Sequence, residues 1–253
     1  MAKTSGLGDA LFISGTDLSG DTTAIGNVGG GPAPLTTTGI DKYGFERIGG
    51  VRDGRLEAAS WFNPTLSHPV LSALPTTDVH EMYCRGTALG SPAAMIVAKQ
   101  TNYDGTRGDD GSFTFSTSSL ANGYGVEWGN LLTAGKRVDT VGGNGTGVDF
   151  GLGSPPLFNG AGLFGAQFYL QVFALTGTSV TVKIQESSDN GVGDTWADVT
   201  GGTFTAATGV SVQRLETARG QTVERYLRAV TTGTFTSATF AVAAVRNDVA
   251  TVF

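Results

Sequence analysis

The sequence predicts a mainly β protein: a β-sandwich with one short flanking helix, followed by a second, C-terminal antiparallel β-sandwich. Three observations predict this class. Glycine is abundant, at 39 of 253 residues, but follows no Gly-X-Y period. Hydrophobic residues make up 40% of the chain, which is enough for a packed core and argues against disorder. Short runs of alternating polar and apolar residues are separated by turn residues, as in sandwiches.

Composition excludes several classes of function. The single cysteine, Cys84, rules out an internal disulfide and the metal centres that need several thiolates. With 16 basic and 22 acidic residues, the chain lacks the positive surface that grips nucleic acid. No window approaches the 18 or more apolar residues of a membrane helix, and the N-terminus does not read as a signal peptide. We therefore expect a soluble chain without an export signal, a membrane span or a cofactor.

The front part of the chain begins with an interrupted segment. Glycine and proline punctuate Gly26–Pro34, which predicts a loop or arm. Arg55–Phe62 then alternates, with Leu56, Ala58, Ser60 and Phe62 on one face, and predicts a strand. Three further runs predict strands in the same part, at Val79–Arg85, Ala94–Tyr103 and Ser112–Ser118.

One short helix is predicted between these strands. It spans Ser67–Leu74, because the Ser67 hydroxyl can cap it and a proline falls in the first turn. Apolar residues follow at helical spacing, and Pro75 ends the segment. The front part is therefore mostly sheet with one helix beside it.

A second breaker-rich stretch, 140–162, predicts a domain junction or a long exposed loop. We accordingly divide the chain into residues 1–155, with an N-terminal arm and loops, and residues 156–253. The second domain contains five strand-like runs with turn signals between them, the spacing of a small antiparallel sandwich. These runs are Leu163–Leu175, Val180–Glu186, Val210–Thr217, Val223–Val230 and Ala238–Arg246.

Candidates for chemistry are few. His80 and Cys84 fall on one face of a strand, but two ligands do not make a metal site, and a buried single thiol is usually inert. The acidic loop Asn102–Gly111 lacks the ligand spacing of an EF-hand and favours a solvated hairpin. Gly129–Arg137 imitates a phosphate loop, but its spacing is wrong and an arginine stands where magnesium needs a hydroxyl.

Paired carboxylates for sugar hydrolysis are harder to exclude from sequence. Glutamates fall on predicted strands and their separations are unknown, although scattered strand acids are normally surface residues. The scarcity of titratable candidates favours a structural or binding role over an enzyme, with no catalytic, metal or cofactor residues. The glutamates concerned are Glu57, Glu81, Glu127 and Glu186.

Several segments resemble virion proteins of actinobacterial long-tailed phages of the siphovirus type, and within these the major tail tube proteins. The resemblance covers nearly the whole chain. Its segments are KTSGLGDALFISGTDLSGD (3–21), TGIDKYGFERIGGVRDGRLEAASWFNP (38–64), RGTALGSPAAMIVAKQTNYDGTRGDDGSFTF (85–115), NGYGVEWGNLLTAGKR (122–137) and VKIQESSDNGVGDTWADVTGG (182–202).

The resemblance implies a tail-tube-like β-sandwich whose copies join edge to edge into rings around a channel. Rings would stack through loops and an N-terminal arm, with hexameric or pseudo-hexameric trimeric symmetry, and other tail proteins would be partners. The protein would be assembled in the host cytoplasm and reside in the virion. DNA would pass through the lumen at genome ejection without specific binding, which suits an acidic chain because a negative wall repels phosphate.

We expect some of a set of acids to face this channel. A second hypothesis remains open, namely a capsid decoration or minor tail protein that acts as a surface-binding β-sandwich module. It would use Trp196, Tyr226 and Phe240 as stacking surfaces. The channel-lining candidates are Asp104, Asp109, Asp110, Asp139 and Asp149.

Overall fold

The structure is a computed structural model that describes residues 5–151 and 160–251. All strand pairs with a defined register are antiparallel, and one short helix, α1 (Ser67–Leu71), accompanies them. The predicted mainly β class is therefore confirmed. The strands are β1 (Ala10–Ile13), β2 (Thr16–Asp17), β3 (Thr22–Thr36), β4 (Arg47–Trp61), β5 (Val79–Cys84), β6 (Pro92–Arg107), β7 (Phe113–Ala121), β8 (Glu127–Leu131), β9 (Arg137–Asp139), β10 (Val148–Asp149), β11 (Ala166–Ser187), β12 (Ala197–Thr203), β13 (Ser211–Glu216) and β14 (Tyr226–Arg246).

The chain folds into two compact units. Unit 1 contains the described residues of 1–19, 82–95 and 128–253, and unit 2 contains 20–81 and 96–127. The predicted boundary between Pro155 and Pro156 lies outside the described residues, so the division into 1–155 and 156–253 stays a prediction. Within the described ranges, no helix has the length and apolar character needed to cross a membrane.

Unit 1 is built on two long strands, β11 and β14, which pair from Ala166 opposite Arg246 to Ser187 opposite Tyr226. Strands β12 and β13 pair with β11, while β8, β9 and β10 pair with β14. Side chains from both halves of β11 pack into one core with those of β14. This core includes Phe168, Leu170, Val182, Ile184, Leu227, Ala229, Phe240 and Val242, all at most 1% exposed.

The prediction of five short runs in the C-terminal part is wrong about continuity. The first two predicted runs form the single strand β11, and the last two form β14. Glycines between the predicted runs do not end the strands but lie where two backbones approach closely. A Cβ atom at Gly177 would collide with the Phe235 backbone, and a Cβ atom at Gly233 would collide with the Ser179 carbonyl oxygen. The ladder shifts register on both sides of Gly177, so the strands are bulged there rather than ended.

Part of the stretch 140–162 is ordered against β14 rather than forming a long exposed loop. Gly143 and Thr231 exchange backbone hydrogen bonds of 3.0 and 2.9 Å, and Gly145 donates to Ala229 at 2.8 Å. Strand β10 then pairs with the start of β14. Residues 152–159 of this stretch lie outside the described residues.

Unit 2 is a sheet in the order β3-β4-β7-β6. Its buried face carries Leu56, Ala58 and Ser60 of β4, as the alternation predicts, each at most 8% exposed. On β7, Phe115 lies opposite Ser60 and belongs to the same face. Helix α1 lies beside this face, with its His68 ring 6.4 Å from the Phe115 ring.

The prediction of a loop at Gly26–Pro34 is wrong: these residues belong to β3 and pair with β4. Proline is tolerated because β3 is an edge strand, with β4 as its one strand neighbour among the described residues. Three register shifts accommodate the irregular residues, and Gly30 allows the closest approach, because a Cβ there would collide with the Asp53 carbonyl.

Helix α1 is shorter than predicted and is capped differently. It ends at Leu71, and Leu66 occupies the N-cap position without a side-chain cap. The Ser67 hydroxyl instead donates to the Trp61 carbonyl oxygen at 3.1 Å. Ser67 therefore fastens the helix to the end of β4, which is a tertiary contact that local sequence rules do not contain.

Unit 2 also buries a carboxyl group. Glu81 is 3% exposed, and one of its oxygens accepts a hydrogen bond from the Ser119 hydroxyl at 2.5 Å. The other oxygen is buried and has no hydrogen-bond partner among the described residues. Burial raises the pKa of Glu81 from 4.5 to about 7, while the Ser119 hydrogen bond opposes the rise.

We predict that Glu81→Gln stabilises the fold at pH 8 and changes it little below pH 4.5. The folded parent holds the Glu81 proton between about pH 4.5 and 7, where the unfolded chain releases it, so its stability falls through this window and then levels off. The gain at pH 8 is at most about 3 kcal/mol. Denaturant unfolding at both pH values measures it, with Glu46→Gln as the exposed control. An equal effect of Glu81→Gln at both pH values would contradict the prediction.

Candidate assembly surfaces

The outer halves of β3 and β4 form a two-stranded ribbon, residues 31–53. Its ladder runs from Gly31 opposite Asp53 to Thr36 opposite Arg47, and β4 gains its second neighbour, β7, only from Arg55 onward. Among the described residues, no third strand pairs with the ribbon. An isolated two-stranded hairpin is at best marginally stable in water, so this segment needs a further surface to pack on.

Large apolar side chains of the ribbon face solvent. Ile40 and Tyr43 at its turn are fully exposed, and Phe45 is 74% exposed. Leu35 lies opposite Ile48 on the paired strands, so their exposed side chains are neighbours. Clustered apolar residues on a protruding element are typical of a protein interface. The complete set is Leu35, Ile40, Tyr43, Phe45, Ile48 and Val51.

The charges of the ribbon cancel and are mostly paired locally. Lys42 lies 3.3 Å from Asp41 and 3.8 Å from Glu46, in exposed contacts that contribute little stability. The guanidinium of Arg47 lies over the Phe45 ring, 4.9 Å from its centroid. Three basic and three acidic residues give the ribbon no net charge, so copies of it do not repel one another strongly.

The outer edge of β3 is a second unsatisfied feature of unit 2. On the side away from β4, the backbone of β3 pairs with no strand among the described residues. The prolines at 32 and 34 protect the distal half, because they have no N–H to donate. The proximal half, Thr22–Gly29, contains no proline and can accept a strand from another chain.

The solvent-facing side of the unit 2 sheet carries small and hydroxyl side chains. Thr114, Ser116 and Ser118 alternate outward along β7, and Glu57 of β4 lies opposite Ser118. We call this surface, with Ala59 and Asp104, the hydroxyl face. It contains a shallow depression of about 380 Å³. Arg55 lies 3.5 Å from the Glu57 carboxylate, so its positive charge is matched.

The five predicted channel acids occupy three kinds of position. Asp104 lies opposite Ser116 on the hydroxyl face. Asp109 and Asp110 are exposed in the turn between β6 and β7. Hydrogen bonds from Ser112 hold the pKa of Asp110 below its usual value.

The remaining two belong to unit 1 and are paired with arginines. Arg137 donates to both carboxylate oxygens of Asp139, at 2.7 and 2.8 Å, and Asp139 is only 9% exposed. Arg225 donates to both oxygens of Asp149 at 2.7 Å and lowers the pKa of Asp149. The structure therefore places only three of the five acids in unit 2, and Asp139 and Asp149 contribute little negative charge of their own.

The alternative stacking surface is not formed as predicted. Phe240 is fully buried in the unit 1 core, so its assignment to a surface is wrong. Arg228 covers the Trp196 ring at 4.4 Å, and Arg225 lies 5.2 Å from the centre of the Tyr226 ring. The faces of these two rings are thus occupied by the protein's own arginines.

The residues considered for chemistry do not assemble into a metal site. No group of three potential ligands occurs in residues 5–151 and 160–251. Burial raises the pKa of Cys84 to about 12, so this thiol stays protonated and unreactive. Glu81 and Glu127 are buried, and half-buried Glu186 accepts a backbone hydrogen bond from Glu224 at 2.8 Å.

Two features do not follow from the sequence rules used above. Glu57, a sequence candidate for sugar hydrolysis, lies on the hydroxyl face. The ribbon has no strand signal, although the apolar residues of GIDKYGFERIGG stand out in a segment otherwise rich in glycine and charge. Large apolar residues inside a polar turn are the signal that could have identified it.

No protein-family model and no curated protein sequence matches the chain. Among solved structures, it is similar to a subunit of the tail of an empty GTA particle refined with C6 symmetry, at 13% identity and a TM-score of 0.38, covering 49% of this chain and 96% of that one. The Dit protein of phage SPP1, described as a hub of the adsorption apparatus, gives 12% identity and a TM-score of 0.36, covering 94% and 99%. A chain of the activated phage p2 baseplate gives 11% and 0.35, covering 95% and 99%. Likeness at this level assigns neither a family nor a function.

Proposed function

We propose that this chain is a structural protein of a phage tail that assembles with copies of itself into stacked rings, forming a tube through which DNA leaves. The observation that carries this proposal is the ribbon, which pairs with no third strand among the described residues and exposes its large apolar side chains. The sequence resemblance to tail tube proteins suggests that the assembly is a stack of rings. The exposed ribbon explains why association lowers the free energy of the chain.

In this proposal, one surface mediates contacts within a ring and a second surface mediates contacts between rings. The proximal edge of β3 pairs with a strand of the neighbouring copy within a ring. A contact between different surfaces, repeated around an axis, closes a ring and removes free sheet edges. The ribbon reaches a copy in the adjacent ring. The ring is a hexamer, or a trimer with pseudo-six-fold symmetry if residues 156–253 act as a second tube-like sandwich.

The hydroxyl face lines the channel in this proposal. Its serines and threonines are small and uncharged, and Asp104 repels the phosphates of passing DNA. Glu57 adds to this repulsion only in part, because Arg55 lies 3.5 Å from its carboxylate. Such repulsion acts over about 8 Å at physiological ionic strength. Asp110 extends the negative surface along the β6–β7 turn, while the arginine-paired Asp139 and Asp149 add little.

We predict that serine at the three turn positions, Ile40→Ser, Tyr43→Ser and Phe45→Ser together, abolishes assembly without unfolding the subunit. The side chains are exposed, so the free energy of unfolding should change by less than about 1 kcal/mol. Electron microscopy of purified protein at high concentration should show hollow tubes for the parent and none for the variant.

The matched control is Val192→Ser, an equally exposed apolar residue of unit 1, which should form tubes like the parent. Tubes formed by the triple-serine variant would contradict the role of the ribbon. Discrete trimers or monomers of the parent that dock on capsids would instead favour a decoration protein.

We predict that Glu57→Gln with Asp104→Asn leaves assembly intact but slows DNA ejection from particles that carry the variant. Loss of the two carboxylates removes repulsion between wall and phosphate, so DNA adheres longer. The difference from the parent should disappear near 1 M salt, where screening reduces the range to about 3 Å. Glu216→Gln in unit 1 is the control. Equal ejection rates for variant and parent at low salt would show that the hydroxyl face does not line the channel.

A further inference from the structure

A second exposed apolar cluster lies at the other end of β4. Phe62 and Phe113 are each 39% exposed. We call these two residues the terminal patch. The Phe62 N–H donates to the Phe113 carbonyl oxygen at 3.0 Å, and their ring centroids are 5.5 Å apart.

The rings of Phe62 and Phe113 pack on a buried aromatic ring. The ring of Phe115, only 7% exposed, lies 5.7 Å from Phe62 and 4.7 Å from Phe113. Tyr103 stacks on Phe115 at 4.0 Å with an angle of 6° between the rings. The exposed rings therefore keep a fixed arrangement, which lowers the entropy cost of binding a partner there.

A single copy cannot bring its ribbon to its own terminal patch. The ribbon includes the start of β4 at Arg47, and Phe62 of the patch directly follows Trp61, the last residue of β4. A strand of 15 residues at about 3.3 Å per residue spans roughly 45 Å, and β4 is paired with β3 along this length. A contact between the two surfaces must therefore join two copies, and because the surfaces differ it repeats head to tail.

Charge agrees with such a contact. Arg47, which stacks on Phe45, has no carboxylate partner among the described residues. Asp109 and Asp110 are exposed in the turn that leads into Phe113.

We propose that the ribbon of one copy binds the terminal patch of the next copy, with Tyr43 and Phe45 on Phe62 and Phe113 and with Arg47 facing Asp109. This inference rests on the proposed function, because it names the surface that receives the ribbon between successive rings. It gives the tube a polarity, since every copy offers a ribbon at one end of β4 and a patch at the other.

Cysteine cross-linking tests the contact directly. The native Cys84 is fully buried and does not interfere. Phe45→Cys with Phe113→Cys in one chain, oxidised after assembly with copper phenanthroline, should give a ladder of covalent dimers, trimers and larger multimers. Phe45→Cys alone should give no ladder, and Phe45→Cys with Val192→Cys is the matched control. Dimers from Phe45→Cys alone would reveal ribbon-to-ribbon contact and overturn the proposal.

A charge exchange tests the same contact without new thiols. Arg47→Glu should raise the protein concentration needed for assembly at least tenfold, and Arg47→Glu with Asp109→Arg should restore it. Circular dichroism checks that each variant is folded.

The outcomes separate this inference from the proposed function. Tubes without a cross-linked ladder, together with no rescue by Asp109→Arg, would overturn the terminal patch as the receiving surface while leaving tube formation intact. A parent protein that stays monomeric at every concentration would overturn both.

Discussion

One constraint underlies the structure: an isolated two-stranded ribbon is at best marginally stable in water. Covering its outer backbone edges and exposed apolar side chains with another surface lowers the free energy. In this chain the ribbon extends beyond the part of β4 that also pairs with β7, and its turn carries Ile40, Tyr43 and Phe45. A segment with these properties is stable when it is completed by a partner, and the proposed partner is another copy of the chain.

Strand β4 shows how a single element can serve both folding and assembly. Its inner half buries Leu56, Ala58 and Ser60 and is fixed between β3 and β7. Its outer half carries Ile48 and Val51 into solvent. Folding of unit 2 therefore anchors the ribbon without using its apolar surface, which stays available for association. The opposite side of the same sheet carries Ala59 and Glu57 of β4, which lie opposite Ser116 and Ser118 of β7.

The sequence predicts those elements whose signal is local. The alternation at Leu56, Ala58 and Ser60 is correct because one buried face imposes a period of two. Glycine and proline mislead in Gly26–Pro34 and at Gly177, because they are read as chain breaks, whereas an edge strand and a bulge tolerate them.

The candidate site is less predictable because it depends on contacts between distant residues. Asp149 is neutralised by Arg225, which lies 76 positions away, and Asp139 also binds the Thr231 hydroxyl. Neither partner follows from local spacing. Asp104 and Glu57 lie on the same face because of the register in which β7 pairs with β4 and β6. Only the folded sheet defines this register.

Amide hydrogen exchange of the ribbon over a range of protein concentrations tests the central claim most directly. The account predicts rapid exchange of the outward-facing amides of residues 31–53 in dilute protein and strong protection once the protein assembles, with no comparable change in the buried half of β4. Ribbon amides that exchange equally fast at all concentrations, or that are already protected in a monomer, would contradict it.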